Sequence, residues 1–215
     1  KHCYAELMAK RLQRMGAAGY DNGFAVTLHE ERLEQPLLRK KPSTWFVNSM
    51  SDLFHEKVPF RFIEKVLSTI ERAPQHTFQI LTKRPSRMER FFVNRAVPPN
   101  AWLGVSVEDR RYGLPRIPTL LRVKANVRFL SCEPLLEDLG AFELNGIHWV
   151  IAGGESGSRA RPMHPDWARA IRDLCAVHDV PFFFKQWGGH TSKAGGRTLD
   201  GQRHDGMPSL VHAYG

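Results

Sequence analysis

Along most of the chain, short apolar runs alternate with segments in which apolar residues recur every three or four positions. The runs Thr44–Asn48, Thr77–Leu81, Ala101–Val105, Val127–Ser131, His148–Ala152 and Pro181–Phe184 are strand-sized. Most are nearly continuous rather than alternating, as expected of parallel strands covered on both faces. Helical periodicity marks Tyr4–Met15, Pro59–Arg72, Pro85–Phe92, Leu114–Val123 and Pro165–His178. In the second of these, Phe62, Ile63, Val66, Leu67 and Ile70 form one stripe. Proline opens the helices at Pro85 and Pro165, and Gly16 follows the first helix, as start and stop signals. The segment Asp21–Lys41 is irregular, with a short strand expected at Ala25–Leu28. Residues 135–145 read as loop, and so does the glycine-rich tail, with a hairpin around Leu199-Asp200-Gly201.

Six strand signals alternating with helices predict an α/β protein with a parallel sheet. With 215 residues the chain is short for an eight-fold barrel. The expectation is a partial (β/α)6 TIM-like barrel over residues 1–188, followed by a loop or tail over 189–215. In such folds the ligand site lies at the carboxyl ends of the strands, and here those ends are polar. They carry Asn48-Ser49-Met50-Ser51-Asp52, Thr82-Lys83-Arg84, Ser106 with Glu108, Ser131-Cys132-Glu133, Gly153-Gly154-Glu155-Ser156-Gly157 and Lys185-Gln186. One such end is a cap or a turn; six imply a shared basin.

The candidates for the basin are Asn48, Ser49, Ser106, Glu108, Ser131, Glu133, Gly153, Gly154 and Glu155, with Lys83 and Lys185 for an anionic group. Glycines 153 and 154 would let a ligand approach the backbone, with a plain tight turn as the competing reading. The run lacks the spacing of a P-loop or of GxGxxG. Asp52 and His55 invite a metal or acid–base reading, against a simple cap at Ser51 or Asp52. The chain contains no HExxH, no paired CxxC and no GxSxG, which argues against the familiar zinc and serine hydrolases.

Composition adds three constraints. Lysine and arginine outnumber aspartate and glutamate by 31 to 22, a formal charge of +9, so a nucleic acid is a candidate partner. Cys3, Cys132 and Cys175 are an odd, sparse set, which points away from a disulfide framework and towards a reducing, cytoplasmic setting. The longest apolar runs are strand-sized, so no membrane partner is expected. Cys132 and Cys175 lie within apolar elements and read as core thiols. Cys3 stands directly before the first helix, where the backbone dipole favours a thiolate. The chain starts at Lys1 rather than Met, which raises the expectation of further sequence upstream.

The order of several blocks carries a resemblance. These are Thr44–His55, Leu81-Thr82-Lys83-Arg84-Pro85, Trp102–Glu108, Arg128–Leu135, Trp149–Gly157, Phe183–Gly188 and Gly196–Gly201. Together with Cys3-Tyr4-Ala5-Glu6, they resemble the phage-type three-cysteine-motif family, related to radical SAM enzymes. In that family a C-x6-C-x2-C motif precedes Tyr-Ala-Glu, so Cys3 corresponds to its last cysteine and the other two would lie upstream of Lys1. The resemblance implies a barrel of the radical SAM type and a 4Fe–4S cluster with Cys3 as one ligand. It also implies S-adenosylmethionine bound at the strand ends, and a radical reaction on an unassigned substrate, with a partner protein open. The alternative is a nucleic-acid or nucleotide binding module on a barrel without redox activity. Nucleic acid is the weaker expectation for a partner.

Overall fold

A computed structural model of the chain describes residues 4–191 and 193–209. Six strands, β1 (Thr44–Phe46), β2 (Thr77–Thr82), β3 (Ala101–Ser106), β4 (Val127–Cys132), β5 (Trp149–Gly153) and β6 (Phe182–Gln186), form one sheet in sequential order. Every neighbouring pair is parallel. The sheet curls into a half-barrel flanked by helices. The helices are α1 (Tyr4–Arg14), α2 (Gln35–Leu38), α3 (Phe60–Arg72), α4 (Pro85–Phe92), α5 (Arg116–Leu121) and α6 (Pro165–Val177). The α/β class and the partial barrel expected from the sequence are therefore present.

Side chains leave the two faces of the sheet alternately, and they fill two separate cores. Leu103, Val105, Leu130, Cys132, Val150, Ala152 and Phe184 join the large cluster that includes Ile63, Leu67 and Ile70 of α3 and Ile171 and Cys175 of α6. Trp102, Val127, Phe129 and Trp149 form a second cluster, backed by Leu81, Ile151 and Phe183. The second cluster plugs the concave side near the amino ends of the strands. Gly104 on β3 makes this packing possible, because a Cβ there would stand 2.4 Å from the Phe129 ring.

Two expectations need correction. Residues 25–28 form no strand; a single 3-10 turn at Glu30–Arg32 follows instead. The connection between β4 and β5 is the loop expected, with no helix in it. Leu135, Leu139, Leu144 and Ile147, all buried, occupy the place of one and complete the core with irregular backbone. The tail is also not a loose loop. Phe184 N–H donates to the His204 carbonyl at 2.9 Å and Gly206 N–H to the Phe182 carbonyl at 3.0 Å, so the tail pairs antiparallel along the free edge of β6. The Trp149 indole N–H reaches the Gly206 carbonyl at 2.7 Å and ties the same segment to the concave core. The expected hairpin at 199–201 is present as a Leu199–Gln202 bridge. Among the described residues, no helix is long and apolar enough to cross a membrane.

Candidate functional site

The alternation that puts aromatic rings on the concave side continues upward to the strand ends. Beyond Trp102 and Gly104 comes Ser106, then Glu108; beyond Val127 and Phe129 come Ser131 and Glu133; beyond Phe183 comes Lys185. The concave face thus changes from an aromatic floor to a charged basin within two residues of each strand.

The basin holds two ionic groups. Glu108, 9% exposed at its side chain, is clamped between the Lys83 ammonium and the Arg116 guanidinium, the latter at 2.6 Å. Arg116 also donates to the Ser106 carbonyl at 2.6 Å. Burial pulls the Glu108 carboxyl upward, but Lys83 and Arg116 outweigh it and hold it below the ordinary glutamate range. In the second group Lys185 donates to Glu133 at 3.2 Å and the Ser131 hydroxyl lies 3.5 Å from the same oxygen. Here burial dominates, and it raises the Glu133 carboxyl above its usual value against the pull of Lys185 and Ser131. Gly153 sits beside this group: a Cβ there would stand 2.6 Å from a Glu133 oxygen. The space left by that glycine is filled by the carboxylate.

The remaining candidates divide. Asn48 donates to the Ser51 hydroxyl at 2.8 Å, while its Oδ1 is buried with no partner; Ser49 is exposed. Glu155 is turned to Arg161 in a two-pronged pair at 2.8 and 2.9 Å. Gly154 faces the backbone of the next connection, where a Cβ would stand 1.9 Å from the Trp187 carbonyl oxygen. A chain crossing, not a ligand, occupies its open side. Asp52 is saturated by the Thr82 hydroxyl, the Phe54 and Lys83 amides and the Arg84 guanidinium, and so joins the β1 end to the β2 end. Cys3 lies outside the described residues.

Arg116 escaped the sequence reading. A signal was available: it opens a helix, where the backbone dipole disfavours a cation, so it needs a nearby carboxylate. Trp102 was also missed; its indole N–H is buried and unpartnered on the concave side. A cavity of about 330 Å3 lies away from this basin, between the 3-10 turn and α3, lined by Glu30, Leu33, Lys65 and Arg72 among others. No strand end contributes to it. Among the described residues, no cluster of three or more histidine, cysteine or acidic side chains could hold a metal ion.

Fold and basin define a singly wound α/β half-barrel with a charge-paired polar site at its strand ends. Residues 1–208 match the model of the family described as protein of unknown function, DUF5131, and the chain belongs to that family. No curated protein and no solved structure is significantly similar to it.

Proposed function

We propose that this chain is the barrel of a radical SAM-type iron–sulfur enzyme whose basin binds S-adenosylmethionine. The observation that supports this most is the placement of two carboxylate–cation groups side by side on the concave face, above a closed aromatic floor. Each group offers an acid and a base, so the basin suits a zwitterion. An amino-acid moiety carries an ammonium for Glu133 and a carboxylate for Lys83 or Lys185. Glu108, held ionised by two cations, keeps its charge when the ligand enters. Trp102, Phe129 and Trp149 exclude water from below. In this reading S-adenosylmethionine supplies the radical chemistry, and the chain binds and orients it.

The described residues do not themselves accommodate an iron–sulfur cluster. Cys132 and Cys175 belong to the core between sheet and helices, not to the basin. Burial pushes the Cys175 thiol up to about 12 and raises Cys132 well above the ordinary thiol range, so neither supplies a thiolate. Cluster binding therefore rests on Cys3 and on the resemblance of its surroundings.

The test uses the complete gene product, reconstituted anaerobically with iron and sulfide. Cys3→Ala should lose most of its iron and Cys175→Ala should retain it. Equal iron in both variants removes the cluster from the proposal and leaves a binding module. By calorimetry, Glu133→Gln should bind S-adenosylmethionine at least tenfold more weakly, a loss of about 1.4 kcal/mol. Unchanged affinity in that variant places the ligand elsewhere.

A further inference from the structure

The cations at the mouth of the site are engaged by carboxylates. Of the cations nearest the site, Arg84 and Lys185 are paired with Asp52 and Glu133, while Lys83 and Arg116 share Glu108. Five of the cations without a carboxylate partner lie instead on the rim formed by three consecutive connections, those that follow β1, β2 and β3.

Lys57 and Arg61 are exposed at the start of α3. They flank Phe60, whose ring lies 4.5 Å beneath the Arg87 guanidinium and 6.0 Å from that of Arg90. Arg87 is held in place by the Val58 carbonyl at 2.6 Å, and its Nε is buried without a partner. On the connection after β3, Arg111 lies 5.0 Å over the ring of Tyr112, which is 58% exposed. None of these five cations has a carboxylate partner among the described residues. Of the acids on the same connections, Asp52, Glu89 and Glu108 are paired with Arg84, Arg122 and Lys83/Arg116. Glu64 on α3 is paired with Arg95 and Asp109 is engaged by the Tyr112 and Gly113 amides, which leaves Glu56 and Glu71.

We infer that this rim is a binding track for single-stranded nucleic acid, which delivers a nucleotide to the basin. Unpaired cations at intervals along an edge match a phosphate backbone. An exposed ring carrying a guanidinium is a platform for an unstacked base, which a duplex does not present and a lipid or acidic peptide does not need. The inference rests on the proposed reaction only in taking the strand as its substrate.

The experiment is fluorescence anisotropy with a labelled oligothymidylate of about twelve nucleotides at two salt concentrations, on the full chain without iron or S-adenosylmethionine. Arg61→Glu with Arg90→Glu should weaken binding at least tenfold and lower the salt slope by about 1.4, roughly 0.7 for each phosphate no longer neutralised. Lys40→Glu with Lys41→Glu, the same charge change before β1 at the opposite end of the strands, should alter affinity less than twofold. Tyr112→Ala should weaken binding at least fivefold with the slope unchanged. A duplex of equal length should bind at least tenfold more weakly than the single strand. Equal effects of the two charge-reversed pairs, an unaffected Tyr112→Ala, equal duplex binding, or capture of anionic vesicles in place of the oligonucleotide would each overturn the assignment. Because this readout needs neither cofactor, it stands or falls separately from the loss of S-adenosylmethionine binding in Glu133→Gln.

Discussion

Gly154 looks like a ligand-approach glycine in the sequence, and its neighbours explain it differently. Its open side is occupied by the Trp187 carbonyl, which belongs to backbone and cannot swing aside. Gly154→Ala should therefore destabilise the fold by roughly 2 kcal/mol or more, as overpacking against fixed atoms does. A melting curve checks it; a variant that keeps its stability but loses ligand would restore the approach role. Glu108 carries the clearest pH dependence. Its folded carboxyl is held below the unfolded value, so its contribution is present above about pH 4.3 and fades as pH falls through the folded value. Glu108→Gln should cost roughly 2–4 kcal/mol at neutral pH, because it leaves Arg116 without its charge partner. Denaturant titrations at pH 7 and pH 3.5 should show that gap closing in acid. A gap that persists would mean packing, not charge, holds the residue.

Strands and helices were legible where burial repeats along the chain. All six strands and the helices α1, α3, α4, α5 and α6 appear close to their expected limits, because each has an apolar face that only one period explains. The β4–β5 connection reads as loop and is one, but its burial does not show in the sequence, and neither does the docking of the tail. Both are held by scattered contacts, such as Leu139 in the core or a single indole N–H on the Gly206 carbonyl, which leave no periodic trace. Polar strand ends were equally legible as a group, yet the pairing within them was not. Lys83 meets Glu108 across 25 positions of sequence and Lys185 meets Glu133 across 52, and only the register of the sheet brings them together. Tail docking is testable at one point. A Cβ on Gly206 would stand 2.6 Å from the Phe182 carbonyl oxygen. Gly206→Val should therefore loosen residues 199–208 and lower the melting temperature by roughly 3–10 °C. Limited proteolysis should then cut after Gly188 in the variant before the parent chain; equal cleavage rates would show that the tail's contacts are dispensable.

At the scale of the molecule, the sheet is open: β1 and β6 do not meet, and each presents an edge. The two edges are handled differently. That of β1 is three residues long, too short to template much pairing. That of β6 reads Phe-Phe-Phe-Lys-Gln, aromatic and strongly strand-forming, and it is covered by the returning tail. The tail thus acts as a guard against self-association. Stripped of it, by proteolysis or a premature stop, β6 would offer a free backbone edge beside three phenylalanines to any other exposed strand. Fragments ending near Gly188 are then expected to form intermolecular β-structure and precipitate rather than persist as folded monomers.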